Sequence, residues 1–235
     1  MNAKIKYYFS FILLCTSVNS SADCVILLHG LTRSADSMQK IDKALSDLAY
    51  QTININYPST QFDIPTLAVN AIEPALTKCL PQNKVHFVTH SLGGILVRYY
   101  FNQYKAHNLG RVVMIGPPNQ GSEVVDKLKN IPGFYLINGP AGLQLGTDQE
   151  SMPNKLGKAN FELGIIAGSR SINLLLSSLI PGEDDGKVSI ERSKLDGMSD
   201  HIILPVTHPF MMKDKEVIAQ VIFFLKNGYF QREEK

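Results

Sequence analysis

From Cys24 onward the sequence alternates short runs of β-branched and aliphatic residues with longer segments of helical period, and few folds accept that alternation. Strands separated by helices assemble into a parallel sheet with the helices packed on its faces. Strand candidates occupy 25–28, 52–56, 85–89, 112–115, 163–167 and 202–204, each followed by turn-forming residues. Between them Met38, Ile41, Leu45 and Leu48 recur at the spacing of one helical face, as do Leu67, Ala71, Leu76 and Cys79. Pro65 suits the first turn of that second helix, whereas Pro74 should kink its interior. Further helical patterns cover 95–104 and 217–225. The expectation is an α/β fold, a mostly parallel central sheet flanked by helices, with residues 23–235 forming one domain.

A hydrophobic content of 44% in 235 residues supplies one sizeable core. The formal net charge is only +2, and the basic residues are scattered rather than gathered into a stripe, which argues against a nucleic-acid partner.

Residues 1–22 have another character. Lys4 and Lys6 precede an apolar run over 7–18, and Ser20, Ser21 and Ala22 follow it, the pattern of a secretory signal peptide cleaved before Asp23. The apolar run is about a dozen residues, short of the roughly 20 that cross a bilayer. The protein is therefore expected to be exported, to a periplasm or beyond. Cleavage would remove Cys15 and leave Cys24 and Cys79, which in an oxidising compartment would form a disulfide or stay as two buried thiols.

The alternation lapses between 119 and 160, where Gly and Pro recur. So long a connection is expected to be a loop-rich insertion over one end of the sheet, where binding surfaces are usually carried. Phe134, Leu136 and Leu143 within it point to packing rather than solvation.

The chemistry centres on Thr89-His90-Ser91-Leu92-Gly93, which follows a strand candidate and opens a helical pattern. A Gly-x-Ser-x-Gly elbow puts its serine on a strained strand-to-helix turn, and the next backbone N–H is left to stabilise an oxyanion. Thr89 replaces the first glycine, a bulkier residue than such a turn prefers. A serine hydroxyl is a weak nucleophile near neutral pH, so it needs a histidine to take its proton and a carboxylate to hold that histidine.

His201 and His208 are the two late histidines, one on each side of the apolar run 202–206. A residue beyond the C-terminal end of a strand shares an edge with Ser91, which selects His208 as base and leaves His201 as an exposed turn residue. His86 and His107 fall on a strand and a helix end. Glu183, Asp184 and Asp185 lie adjacent on a turn-rich loop; Asp185, directly before Gly186 and the return to apolar sequence, is the preferred acid, with Asp184 in reserve. The oxyanion donors are expected to be the N–H groups of Leu92 and of Leu31, the latter aimed by a chain turn at Gly30, with His29 orienting the loop.

In this order, His29-Gly30 at a strand end, His90-Ser91-Leu92-Gly93-Gly94, Asp185-Gly186 and His208 resemble the α/β-hydrolase superfamily, and within it bacterial lipases and esterases. The resemblance implies Ser91 as nucleophile, Asp185 as acid and His208 as base in an exported hydrolase of carboxylic, fatty acyl esters. The segment 116–122 is similar to one that walls the substrate pocket in lipase-like members. A small or lipid-like ester would be the partner, with transient contact at a lipid surface in the second case. The same residues would serve a thioesterase or an acyltransferase, and the scaffold alone would serve binding. Neither a cofactor nor a metal is implied, since Cys-x-x-Cys and phosphate-loop spacings are absent from the sequence.

Overall fold

A computed structural model describes residues 23–105 and 108–232. The signal peptide expected at 1–22, Cys15 within it, and His107 lie outside the described residues. Six strands form one sheet: β1 (Cys24–Leu28), β2 (Gln51–Ile55), β3 (Val85–His90), β4 (Leu109–Ile115), β5 (Leu163–Gly168) and β6 (Asp200–Leu204). Their order is β2-β1-β3-β4-β5-β6, and every pairing is parallel. The α/β expectation is met.

The order explains which helix lies on which face. The chain steps outward from β1 to β2 through α1 (Gln39–Ser46), then crosses back over β1 to β3 through α2 (Ile64–Leu76). Right-handed crossovers running in opposite directions put their helices on opposite faces. Accordingly α2 packs with α3 (Leu92–Gln103) on one face. On the other, α1 packs with the final helix, Lys215–Asn227. Strand residues alternate to match. Cys24, Ile26 and Leu28 of β1 enter the cluster around Ile72, Leu96 and Phe101. Val25 and Leu27 enter the cluster around Ile41, Val221 and Phe224.

Helix ends follow local chemistry. The Asp63 carboxylate accepts the N–H of Thr66 at 3.0 Å to cap α2, with Pro65 in the first turn. Pro74 stands in the last turn of α2, which ends at Leu76, so Cys79 lies beyond the helix. Leu48 likewise falls after α1 and is exposed. Cys24 and Cys79 are joined by a disulfide, with Cα atoms 5.8 Å apart.

The segment between β4 and β5 is an insertion, as the sequence suggests, and much of it is helical: α4 (Glu123–Leu128), α5 (Phe134–Leu143) and α6 (Met152–Lys155). Gly139, at φ 64°, breaks the run of α5 just before Pro140, which is why the Gly- and Pro-rich sequence reads as loop. Two further short helices, α7 (Leu174–Ser177) and α8 (Ile190–Ser193), flank the acidic turn, and Lys215–Asn227 is α9.

Candidate active site

β3 ends at His90 and α3 begins at Leu92, so Ser91 alone makes the turn between them. It does so at φ 52°, ψ −118°, a conformation that residues with a Cβ rarely adopt. Two backbone bonds hold it there: the Ser91 N–H donates to the Ile115 carbonyl at 2.9 Å, and the Gly94 N–H to the Ser91 carbonyl at 3.0 Å. Ser91 therefore stands at the C-terminal edge of the sheet. It lies where the strand order reverses between β1 and β3, the place where such sheets open a crevice. Thr89 is fully buried and its hydroxyl has no hydrogen-bond partner among the described residues. Gly94 leaves it room: a Cβ there would come within 3.3 Å of the Thr89 Oγ1.

His208, beyond the end of β6, reaches back to this edge. Its Nε2 lies 3.1 Å from the Ser91 Oγ, and its Nδ1 lies 2.7 Å from Oδ2 of Asp185. The other oxygen of Asp185 accepts the N–H groups of Lys187 at 3.0 Å and Val188 at 2.9 Å. Asp184 faces elsewhere, accepting from the Ser177 hydroxyl at 2.7 Å and the Gly186 N–H at 2.6 Å, while Glu183 is exposed. Of the three adjacent carboxylates, Asp185 meets the histidine.

His201 differs from expectation. β6 begins at Asp200, so His201 is a half-buried strand residue rather than an exposed turn, and its Nε2 lies 3.1 Å from the Ser193 hydroxyl, away from Ser91. His86 lies on β3, as its run suggests. Gly116, at φ 56° after β4, was not singled out in the sequence. A Cβ there would lie 3.0 Å from Asp185 Oδ2 and 3.2 Å from His208 Nδ1, so the Asp–His contact needs a glycine beneath it.

His90 backs the histidine. The two rings are 4.8 Å apart, and the His90 Nε2–H donates to the His208 carbonyl at 3.1 Å. Burial, and then the charge of His208, hold its pKa well below the ordinary 6.5, so the ring is neutral.

The loop after β1 is equally ordered. The His29 ring stacks on Tyr57, with centroids 4.0 Å apart, accepts the Tyr57 N–H at Nε2 and donates from Nδ1 to the Gly30 carbonyl. The Tyr57 hydroxyl in turn donates to the His29 carbonyl. A turn then closes with the Arg33 N–H on the Gly30 carbonyl at 3.3 Å. Its left-handed residue is Thr32, at φ 58°, and not Gly30. Gly30 serves closeness instead: a Cβ there would approach His90 Nδ1 to 2.7 Å. Leu31 and Ser91 line the same cavity. Leu92 opens α3, so its N–H meets no carbonyl within the helix.

That cavity, of about 520 Å³, is walled by Val124, Val125, Leu128, Phe134 and Leu145 of the insertion, and Pro118 and Ser122 also line it. Apolar side chains that line it are also bare to solvent: Ile137 on α5 is 66% exposed and Ile172, before α7, is 65% exposed. The insertion is anchored by Arg98 of α3. This buried guanidinium donates to the carbonyls of Asn119 at 2.7 Å, Pro153 at 2.8 Å and Gly157 at 2.8 Å, and burial lowers its pKa to about 10. A lone charge inside the apolar run 95–101 was its sequence signal. A second cavity, about 550 Å³, opens at the opposite ends of the strands around His86 and Arg111, away from Ser91.

The family model described as alpha/beta hydrolase fold matches residues 23–135. Among solved structures, the mature lipase BlEst2 of Bacillus licheniformis is similar with a TM-score of 0.65 at 19% identity, over 88% of this chain and 93% of that one. The metagenomic carboxyl esterase MGS0156 is similar with a TM-score of 0.60 at 17% identity, over 81% and 66%. Phospholipase PlaB of Legionella pneumophila gives 0.57 at 17% identity, over 74% and 46%. At these identities the likeness is one of fold. No curated protein matches the chain.

Proposed function

Because the chain has the α/β-hydrolase fold, we propose that it hydrolyses carboxylic esters, with fatty acyl groups as the acid half, through an acyl-enzyme on Ser91. The observation that carries this reading is the continuous path from the Ser91 Oγ through both ring nitrogens of His208 to Asp185. Ser91 attacks the ester carbonyl as His208 Nε2 takes its proton. Asp185 holds the Nδ1–H tautomer and stabilises the imidazolium. The oxyanion is met by the N–H groups of Leu92 and Leu31. Collapse expels the alcohol, which carries away the proton from His208, and water then attacks the acyl-serine by the same route, releasing the acid and restoring Ser91.

The apolar wall of the cavity supports an acyl chain as the group bound there. Export is part of the proposal: the pattern of residues 1–22 and the Cys24–Cys79 disulfide, a bond favoured in oxidising compartments, support it. Fluorophosphonate labelling and p-nitrophenyl butyrate hydrolysis test the chemistry. Both are expected in the native protein and absent from Ser91→Ala; full esterase activity in that variant would refute the mechanism. A mature N-terminus at Asp23 tests export.

A further inference from the structure

Two cations stand at the mouth of the apolar cavity, neither of them in an ion pair among the described residues. Arg33 follows the turn after β1, Lys187 follows Asp185, and both line the cavity that holds Ser91 and His208. Neither head group forms an ion pair or a hydrogen bond among the described residues, whereas Lys43, Arg111, Lys155, Lys194 and Arg232 each meet a carboxylate. Among the described residues the only acid lining the cavity is Asp185, which is 1% exposed and spent on His208 and two backbone N–H groups.

The two cations also feel each other. Reduced hydration in the concave wall, and second the charge of Arg33, push the Lys187 ammonium below its ordinary pKa, against the pull of Asp185. Like charges held together beside an apolar chamber oppose stability unless an anion visits them. The acyl wall comes from 124–145, whereas the cations come from the two loops flanking Ser91 and Asp185, so the cavity is divided by chemistry.

We propose that the site takes acyl esters whose alcohol half carries an oxyanion, phosphate or carboxylate, bound between Arg33 and Lys187 while the acyl chain lies on the apolar wall. This rests on the acyl-enzyme reading above. A guanidinium and an ammonium give charge-assisted bonds to such a group, and an uncharged alcohol forgoes them.

The test compares three butanoyl esters, each dissolved as single molecules: 1-butanoylglycerol, 1-butanoylglycerol 3-phosphate and 2-(butanoyloxy)acetate. The native protein should prefer at least one charged ester over the neutral one by about tenfold in kcat/KM, mainly through KM. Whichever charged ester is faster identifies the oxyanion. In Arg33→Gln/Lys187→Gln the ratio should fall towards one. The fold should survive this change, because Lys187 contributes only backbone groups to the Asp185 loop and Arg33 only its N–H to the turn. Equal rates on all three esters in the native protein, or a ratio unchanged in the double variant, would overturn the proposal while leaving the acyl-enzyme intact. A preference seen only with anionic vesicles, and equal for neutral and charged esters on them, would assign the cations to surface docking and likewise overturn it. If Ser91 neither labels nor turns over any ester, the acyl-enzyme reading itself fails.

Discussion

His208 and Asp185 are joined twice: the imidazole Nδ1 lies 2.7 Å from the carboxylate, and the His208 backbone N–H donates to the Asp185 carbonyl at 2.8 Å. The side-chain contact is therefore supported by a main-chain one that does not depend on the side chain at 185. In Asp185→Asn the amide must turn its NH₂ either towards the His208 Nδ1–H or towards the N–H groups of Lys187 and Val188, and both meet donor with donor. The expected result is a fall in kcat of about 10³ to 10⁴ with little change in KM. Asp184→Asn, which can still accept from Ser177 and Gly186, should leave kcat nearly unchanged. Steady-state kinetics on one soluble ester separate the two.

Gly116→Ala probes the same contact from below. The substitution puts a Cβ in a left-handed backbone and presses it against Asp185 and His208. A loss of about 1 to 2 kcal/mol in stability is expected from the backbone alone. The informative readout is a drop in kcat larger than the loss of folded protein, measured at a temperature where circular dichroism shows the variant folded.

The disulfide closes a loop of 55 residues between Cys24 at the start of β1 and Cys79 after α2. The chain-entropy estimate for such a loop is about 4 kcal/mol. Cys24→Ala/Cys79→Ala should therefore unfold at markedly lower denaturant concentration. Its Ser91 labelling in the absence of denaturant should persist, because neither cysteine lines the cavity.

Acid should weaken the fold well before carboxylates titrate. Burial lowers the pKa of His29, His86, His90 and His201, so each takes a proton less readily when folded than when unfolded. Stability is then full above the ordinary histidine pKa of 6.5 and is lost as pH falls below it, at up to about 1.4 kcal/mol per pH unit for each such histidine. Thermal melts from pH 8 to pH 5 should show this slope, and His90→Gln should flatten it.

Much of the fold was legible because strand and helix periods are imposed by burial on two faces, and Val25, Leu27, Ile41 and Phe224 obey them. The side chains of Ser91, Asp185 and His208 were legible as a set because their order along the chain and their positions beyond strand ends carry the information. What escaped depends on contacts between distant segments. Thr32 adopts the left-handed turn conformation that its residue type does not advertise. The helices of the insertion are short and interrupted at Gly139, so packing rather than propensity makes them. Arg33 and Lys187 are far apart in sequence and become a pair only when two loops meet at the cavity mouth.

Arg98 carries one further consequence. It sits on the helix that Ser91 begins and grips the insertion at Asn119 near one foot and at Pro153 and Gly157 near the other, leaving 124–145 as the span between two abutments. The footing of Ser91 is thus held from the two ends of that span rather than from its middle. Under the proposed acyl-enzyme mechanism, selection for a new acyl chain length would act on the cavity-lining residues of that roof, such as Val124, Leu128 and Phe134, while Arg98 keeps its abutments fixed.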